Sequence, residues 1–210
     1  MLKFLIILLI IPLIYTFNLC IIGGSSGLGK ELIYQSCIDK GIKVLALTNS
    51  PNKITTPCRV NSFTEIKNQP KFNHPNLRVE NYWDDLTEFN YDHLIFTTSA
   101  KPFENDYSDK LMNKILSQIS DNCKSISLIS AFGVGDSLKK GNLGISAMNA
   151  WYLKDVYRAK NEQEKILNKL DNKKINKLIY RPKALSYGET FLDSTSRKDL
   201  ANEILSSLGF

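Results

Sequence analysis

This 210-residue chain has few of the residues that bind transition metals, and its positive charge is not concentrated in any one segment. It has two histidines and four cysteines, and no C-x-x-C pair occurs, so the spacing argues against a zinc site. Lys and Arg outnumber Asp and Glu by 27 to 21, but they are spread along the chain, whereas nucleic-acid binding favours a clustered basic stripe. We therefore predict no metal site and no nucleic-acid partner, while the mild positive charge suits an anionic cofactor. Whether the cysteines pair stays open.

The first seventeen residues differ in composition from the rest of the chain. MLKFLIILLIIPLIYTF contains one lysine and an apolar run that Pro12 interrupts. The run has the length of the hydrophobic region of a signal peptide and falls short of the roughly 20 residues that a membrane-spanning helix needs. We predict that residues 1–17 are a signal or anchor segment, which implies the secretory pathway, a membrane or an organelle. An additional buried strand and a cytoplasmic protein are the alternatives.

Glycines cluster where a short apolar run, Leu19–Ile22, meets a helical pattern. Gly23, Gly27 and Gly29 follow the spacing G-x-x-x-G-x-G. A strand that turns sharply into a helix needs residues without a Cβ, and the helix N-terminus then offers unpaired N–H groups to a phosphate. Because a second strand follows at Ile42–Thr48, the pattern predicts the nucleotide-binding turn of a βαβ unit. The predicted cofactor-binding residues of this turn are Gly23, Ser25, Ser26, Gly27, Leu28 and Gly29. A Gly- and Ser-rich turn without a ligand is the alternative.

Apolar runs and amphipathic stretches alternate through residues 18–210, which we predict to form one domain. The remaining predicted strands are Leu77–Tyr82, Asp92–Thr98, Ser125–Ser130 and Ile175–Tyr180. The predicted helices are Lys30–Asp39, Tyr107–Ser120, Trp151–Leu170 and Lys198–Leu208, with shorter helical segments at Phe63–Lys67 and Asp84–Asn90. Right-handed crossovers between such strands place them in one parallel sheet. The predicted fold is therefore an α/β, Rossmann-like doubly wound parallel sheet in a three-layer αβα arrangement.

Polar residues end two of the predicted strands, at the edge where open α/β sheets bind ligands. Thr97, Thr98 and Ser99 end the fourth strand, and we predict that they contact the cofactor. After the second strand the residues are TNSPNK, with no acidic side chain for the ribose hydroxyls that NAD presents. Asn49 and Lys53 are the predicted contacts there, and Lys53 favours the 2′-phosphate of NADP, with NAD as the second choice. A solvated loop lysine is the alternative for Lys53.

Five segments resemble one known group of proteins. GGSSGLG resembles the glycine turn of the short-chain dehydrogenase/reductase superfamily. ALTNSPNKI, LISAFGVGDS, AKNEQEKIL and KLIYRPKALSYG resemble, in this order, segments of its atypical members with NAD(P)H-binding NmrA-like domains, including the biliverdin and flavin reductase-like proteins. The resemblance covers residues 18–190 and implies a dinucleotide cofactor and redox chemistry. Asn49 stands where these proteins often have Arg, which weakens the preference for NADP.

The catalytic pair of most short-chain dehydrogenases is absent from the sequence. Those enzymes use Tyr-x-x-x-Lys, in which the lysine lowers the pKa of the tyrosine, whereas here neither Tyr152 nor Tyr157 has a lysine four residues later. The resemblance instead implies that Ser130, at the end of the fifth strand, and Lys160, on the long helix, are the catalytic residues. A strand-end hydroxyl that binds the backbone and an exposed helix lysine are the alternatives.

Two functions from different classes fit these patterns. The first is an NAD(P)H-dependent oxidoreductase that transfers hydride from NADPH to a small organic acceptor, with the protein orienting the cofactor and excluding water. The second is a non-catalytic NAD(P)-binding protein, either a redox sensor or an assembly factor that residues 1–17 tether to a membrane. The missing Tyr–Lys pair favours the second function, and so do residues 181–210, which are few for a large substrate pocket. The oligomeric state and the identity of the acceptor stay open.

Overall fold

The computed structural model describes residues 15–66, 68–98, 108–135, 137, 153–190 and 193–210. The strands of the main sheet are β1 (Tyr15–Ile22), β2 (Val44–Leu47), β3 (Leu77–Glu80), β4 (Phe89–Phe96), β5 (Ser125–Ile129) and β6 (Asn176–Tyr180). Two short strands, β7 (Leu185–Ser186) and β8 (Thr195–Ser196), pair with each other. The α-helices are α1 (Gly27–Tyr34), α2 (Ser108–Ser117), α3 (Lys154–Lys169) and α4 (Arg197–Ser207). A π-helical turn, Gln35–Asp39, continues α1, and Pro51–Lys53 forms a 3-10 turn.

The main sheet has the strand order β3-β2-β1-β4-β5-β6, and all neighbouring strands are parallel. Side chains alternate across each strand. Leu19 and Ile21 of β1 face the layer that contains α1 and α4, while Cys20 and Ile22 face the layer that contains α2 and α3. Helices thus cover both faces, as parallel sheets require, and the predicted three-layer doubly wound fold is confirmed. The strand order reverses between β1 and β4, where such sheets form their ligand crevice.

The two central strands begin earlier than the sequence predicts. β1 starts at Tyr15 rather than Leu19, and β4 starts at Phe89 rather than Asp92. These additional residues pair with one another, and the ring centroids of Phe17 and Phe89 lie 6.1 Å apart. The predicted start of β1 is wrong because one continuous apolar run contains both the N-terminal segment and the first strand. Residues 15–17 of the predicted signal or anchor segment are therefore part of the sheet.

The rest of the predicted signal or anchor segment, residues 1–14, lies outside the described residues. Among the residues that the structure describes, no helix combines the length and the hydropathy that crossing a bilayer requires. The targeting of the protein therefore stays a prediction from the sequence.

The two short helical segments predicted at Phe63–Lys67 and Asp84–Asn90 are wrong where the structure describes them. Antiparallel bridges tie the loop around the first segment to residues 71 and 187, so tertiary pairing keeps this stretch non-helical. In and before the second segment, the side chains of Asn81 and Asp85 each accept a 3.0 Å hydrogen bond from an N–H group two residues further along. Such local bonds compete with helix formation.

The first helix and the π-helical turn that continues it bury one face, which includes Leu28, Leu32, Ile33, Ser36 and Cys37. The helix begins at Gly27, three residues earlier than predicted, because Ser26 caps it. All four cysteines are free and buried, which answers the question of pairing that the sequence leaves open. Burial raises the pKa of Cys37 and of Cys123 to about 12, so both thiols stay protonated at neutral pH.

Candidate functional site

The glycine turn joins β1 to α1, as its spacing predicts. Gly23 has a φ of +88°, in the region that favours glycine, and a Cβ on it would lie 2.7 Å from the Thr97 Oγ1. A Cβ on Gly29 would overlap the carbonyl oxygen of Gly23 and lie 2.9 Å from the Gly24 Cα. Gly29 therefore allows α1 to pack directly against its own turn, and Gly23 allows the turn to approach the end of β4. This is the close approach of strand and helix that a dinucleotide-binding turn needs.

The two serines of the turn bind other protein atoms. The Ser26 Oγ caps α1 by accepting a 2.9 Å hydrogen bond from the Gly29 N–H. The Thr97 hydroxyl donates to the Ile22 carbonyl at 2.9 Å, so the 2.9 Å bond between the Ser26 and Thr97 hydroxyls has Ser26 as its donor. The Ser25 Oγ lies 2.8 Å from the Thr48 Oγ1. The serines and Thr97 thus fix the shape of the turn and join it to β2 and β4.

Backbone N–H groups are the open donors of this turn. Because Ser26 binds the Gly29 N–H with its side chain and the Lys30 N–H with its carbonyl, the N–H groups of Gly27 and Leu28 are left without a partner among the described residues. The Leu28 side chain is buried in the core, so this residue offers its backbone alone. Two open N–H groups at the positive end of a helix suit an anion such as a pyrophosphate.

Two side chains from the C-terminal part of the chain lie beside Gly27, and sequence reasoning missed both. A Cβ on Gly27 would lie 2.5 Å from the hydroxyl oxygen of Tyr187 and 2.9 Å from the Nε of Arg197. The guanidinium carbon of Arg197 lies 3.9 Å from the centroid of the Tyr187 ring, and its Nη1 donates to the Leu185 carbonyl at 2.8 Å. No sequence pattern connects these residues with a turn about 160 positions earlier.

The predicted contacts after β2 lie on an exposed loop. Asn49 is exposed and accepts a 3.1 Å hydrogen bond from the Ser50 hydroxyl. Lys53 is exposed and ends the 3-10 turn Pro51–Lys53. These two residues therefore lie on the loop that follows β2, whose neighbouring residues Thr48 and Ile54 approach the glycine turn.

Lys160 is buried, with only 4% of its surface exposed, and the alternative of an exposed helix lysine is wrong. Its Nζ donates to the Thr98 carbonyl at 2.5 Å and to the Ile129 carbonyl at 2.6 Å. One ammonium group thus joins the carboxyl ends of β4 and β5. Ser99, the next residue after Thr98 and a predicted cofactor contact, lies outside the described residues.

Polar atoms without partners occur at this same edge of the sheet. Ser130 follows β5 directly and is 4% exposed, and its Oγ has no hydrogen-bond partner among the described residues. The predicted alternative, a strand-end hydroxyl that binds the backbone, is therefore wrong for the described part of the chain. Gln163 of α3 is fully buried; its Nε2 donates to the Thr98 Oγ1 at 3.4 Å, while its Oε1 has no described partner.

A buried ion pair flanks these residues. Arg181, directly after β6, forms two hydrogen bonds with the Glu164 carboxylate of α3, at 2.9 Å and 2.7 Å. Glu164 is 4% exposed, and a Cβ on Gly135 would lie 2.7 Å from its Oε2. Sequence reasoning singled out Lys160 on this helix and missed Gln163 and Glu164. The available signal was the helical spacing of Lys160, Gln163 and Glu164.

Within the described residues, no group of three or more His, Cys, Asp and Glu side chains is arranged to hold a metal ion. No known family profile matches the sequence, and no curated protein matches it.

Many solved structures, in contrast, match the fold. ChuY, an anaerobilin reductase from Escherichia coli O157:H7, is 13% identical to this chain with a TM-score of 0.58, over 90% of this chain and 89% of its own. A proposed NADH-flavin reductase from Streptococcus pneumoniae is 14% identical with a TM-score of 0.56, over 92% and 93%. A Rossmann-fold NAD(P)-binding family protein from Shigella flexneri is 16% identical with a TM-score of 0.55, over 93% and 87%. This chain has a Rossmann fold.

The described residues of this Rossmann fold suit a dinucleotide at two separate points. The open N–H groups of Gly27 and Leu28 match the pyrophosphate, which sits at the N-terminus of the first helix in such folds. The unpartnered hydroxyl of Ser130 lies at the carboxyl end of a neighbouring strand, on the edge where ligands of open α/β sheets bind. A nicotinamide cofactor therefore fits the residues that are present.

Proposed function

We propose that the protein is an NAD(P)H-dependent oxidoreductase of the atypical short-chain dehydrogenase/reductase type, which reduces a small organic acceptor. The fold neighbours include an anaerobilin reductase and a proposed NADH-flavin reductase, and the glycine turn supports a dinucleotide cofactor. The observation that carries the proposal is the buried, unpartnered hydroxyl of Ser130 at the end of β5. At the carboxyl end of a strand, where open α/β sheets bind ligands, a bound substrate can supply the partner that this hydroxyl lacks among the described residues.

The residues of the sheet edge have distinct tasks in this proposal. When bound, reduced nicotinamide supplies the hydride. Ser130 donates a hydrogen bond to the acceptor oxygen and so stabilises the negative charge that develops there. Lys160 is a positioning residue, because its ammonium group is held by the carbonyls of Thr98 and Ile129. It fixes the strand ends between which the nicotinamide and the acceptor meet.

We propose NADPH as the preferred cofactor and NADH as the weaker one. The loop after β2 has no acidic side chain for the ribose hydroxyls, and exposed Lys53 is free to move towards a 2′-phosphate. Asn49 is the second polar residue at this position. At the end of β4, the Thr97 side chain supports the glycine turn through its bond to the Ile22 carbonyl. Thr98 and Ser99, which follow it, are the cofactor contacts that we propose.

The test of this function measures NADPH oxidation with a panel of quinones, flavins and aldehydes, after titration calorimetry has established NADPH binding. We expect Ser130→Ala to keep the affinity for NADPH and to lower kcat about 100-fold, since it removes one donor to the developing negative charge. Ser127→Ala is a matched control, because the Ser127 hydroxyl is equally buried and unpartnered among the described residues but lies inside β5. We expect this control to leave kcat unchanged.

Tight NADPH binding without turnover on any acceptor would contradict the oxidoreductase and favour the non-catalytic sensor. One contact supports this second function. The Tyr157 hydroxyl, on the helix that carries the catalytic tyrosine in most short-chain dehydrogenases, donates to the Phe132 carbonyl at 2.8 Å. A tyrosine engaged in this way fixes the loop after β5.

We also propose that the N-terminal apolar segment directs the protein to the secretory pathway, a membrane or an organelle, or anchors it there. Since β1 begins at Tyr15, cleavage at residue 17 would remove the strand positions that pair with Phe89 and Asn90 of β4. An uncleaved anchor, or cleavage before Tyr15, leaves the sheet intact. Mass spectrometry of the mature N-terminus and membrane fractionation test this proposal, and a soluble cytoplasmic protein that keeps residues 1–17 would contradict it.

A further inference from the structure

The hydroxyl of Tyr187 is directed at the first residue of α1. Tyr187 is 8% exposed, and a Cβ on Gly27 would lie 2.5 Å from its oxygen. Within the described residues this hydroxyl has no hydrogen-bond partner. Because Gly27 has no side chain, the phenol lies close to the start of α1, in the space that a Cβ would need.

Arg197 lies in the same space and is held in place by two contacts. Its guanidinium group stacks on the Tyr187 ring at 3.9 Å, and its Nη1 donates to the Leu185 carbonyl at 2.8 Å. The Nε edge of the group faces Gly27. Burial lowers the pKa of Arg197, which shows that the protein desolvates this cation. A partly desolvated guanidinium with a free edge is well suited to an anion.

The charges around this space leave it positive. The carboxylate of Glu65 interacts electrostatically with both Tyr187 and Arg197. It is already bound by the ammonium group of Lys30 at 2.6 Å. Two cations therefore face one carboxylate, and the helix N-terminus adds its own partial positive charge.

The segment that carries these donors is fixed to the rest of the molecule. The Tyr187 N–H donates to the Ser62 carbonyl at 2.7 Å, and the Ser196 hydroxyl donates to the Gly188 carbonyl at 2.7 Å. Ser196 also caps α4, which starts at Arg197 and packs beside α1. The donors are thus preorganised, so they lose little conformational entropy when a ligand binds.

We propose that Tyr187 and Arg197 bind the pyrophosphate of the dinucleotide, opposite the open N–H groups of Gly27 and Leu28. Tyr187 and Arg197 thus complete a phosphate site that the glycine turn begins. This inference rests on the proposed function insofar as it takes a dinucleotide as the ligand. It assigns to the pyrophosphate two donors that come from the far end of the chain.

Titration calorimetry with NADH, NADPH and ADP-ribose tests the assignment, because all three contain the pyrophosphate and only NADPH has a 2′-phosphate. We expect Arg197→Ala to weaken all three by the same factor, about 10- to 100-fold, as for the loss of a charged hydrogen bond. Tyr187→Phe keeps the stacked ring and should weaken them about 3- to 10-fold. Lys198→Ala is the matched control, since the neighbouring side chain is exposed, and it should change none of them.

Arg197→Lys keeps the positive charge and provides the test if Arg197→Ala fails to fold by circular dichroism; it should show an intermediate loss. Weakening of NADPH alone would assign Arg197 to the 2′-phosphate and overturn the proposal. Unchanged affinities, or tighter binding when the segment is altered, would overturn it as well. If the wild-type protein binds no dinucleotide, the proposed function fails. Binding of inorganic pyrophosphate that Arg197→Ala abolishes would then still support the anion site. Absence of pyrophosphate binding would overturn the anion site as well.

Discussion

The two ends of the crevice leave different kinds of atoms without a partner. At the glycine turn, the hydroxyls of Ser26 and Thr97 bind each other and the backbone, and the open groups are the N–H groups at the start of α1. At the end of β5, Lys160 binds the Ile129 carbonyl, and the open group is the side-chain hydroxyl of Ser130. At the glycine turn, side chains shape a site whose donors are backbone N–H groups. At the end of β5, the backbone carries a site whose donor is a side-chain hydroxyl.

This difference predicts how each region responds to substitution. A site made of backbone donors depends on the path of the chain, so residues that permit this path affect folding and binding together. A site made of side-chain donors can lose one hydroxyl while the fold stays intact. The variants Ser130→Ala and Ser127→Ala test this expectation. The substitutions below separate these two behaviours.

The largest effect is expected at Gly29. A Cβ there overlaps the Gly23 carbonyl and contacts the Gly24 Cα, and backbone atoms cannot move aside as a flexible side chain can. We expect Gly29→Ala to lower the free energy of unfolding by about 3 kcal/mol and to abolish dinucleotide binding. Urea denaturation followed by circular dichroism measures the first effect, and calorimetry measures the second.

Gly41 offers the matched control for this substitution. Its φ is +65°, but no atom lies within 4 Å of an added Cβ. Asn is the residue that best tolerates this conformation after glycine, so we expect Gly41→Asn to leave binding unchanged with a small loss of stability. Equal losses in the two variants would show that backbone conformation, rather than close approach, is what the turn requires.

Lys160 tests the second region. Lys160→Met keeps the length and most of the volume of the side chain but leaves the carbonyls of Thr98 and Ile129 without their donor. We expect a loss of about 2 kcal/mol in the free energy of unfolding, because buried polar groups without partners are costly. As a positioning residue, Lys160 should affect kcat more than the KM for the acceptor. Lys165→Met, which breaks an exposed pair with Glu162, should change neither, and a matching loss there would remove the case for Lys160.

Much of the fold could be predicted from the sequence because it depends on local patterns. The alternation of apolar runs and helices predicts the parallel sheet. The spacing of Gly23, Gly27 and Gly29 predicts the turn, since Gly23 is needed for the close approach of β4 and Gly29 for packing within the turn. The start of β1 could not be predicted in this way. Its first residues pair with Phe89 of β4, and only the assembled sheet shows which part of the apolar run forms a strand.

The polar half of the candidate site was harder to predict for the same reason. Lys160 is buried because two strand ends meet beside α3, and the spacing of polar residues on its own helix indicates a shared face but not what covers it. Tyr187 and Arg197 reach Gly27 only because the chain returns to the first layer after β6. Ser130 and Lys160 emerged from the resemblance to a family rather than from spacing.

A smaller effect is expected for the cap of α1. Ser26→Ala removes the acceptor of the Gly29 N–H and the bond to Thr97, and we expect a loss of about 1 kcal/mol in the free energy of unfolding. Ser25→Ala removes the bond to Thr48 alone and should cost less. Thermal unfolding of the two variants measures the difference. If Ser25 proves the more important serine, the turn is held mainly from β2 rather than by its cap.

The smallest effect is a dependence of stability on pH near the glycine turn. Burial raises the pKa of Glu31 of α1 above its ordinary value of 4.5, while Gln35, Arg59 and Lys198 oppose this shift and Asp39 adds to it. A carboxyl whose pKa is raised in the folded state favours folding while it is protonated. This contribution is complete below the pKa of the unfolded chain and is lost as the pH rises through the folded value.

The variant Glu31→Gln keeps an oxygen that can accept from Gln35, as the carboxylate does at 2.8 Å, but it cannot ionise. Its stability relative to the wild type should therefore rise as the pH increases from about 4 towards neutrality, and level off above the folded pKa of Glu31. Thermal unfolding across this range measures the difference, with the exposed Glu162→Gln as the control. A difference that falls with rising pH would mean that the ion pair with Arg59, at 2.9 Å, outweighs the burial of Glu31. The charge would then hold the 59–65 loop against α1, beside the site that the glycine turn forms.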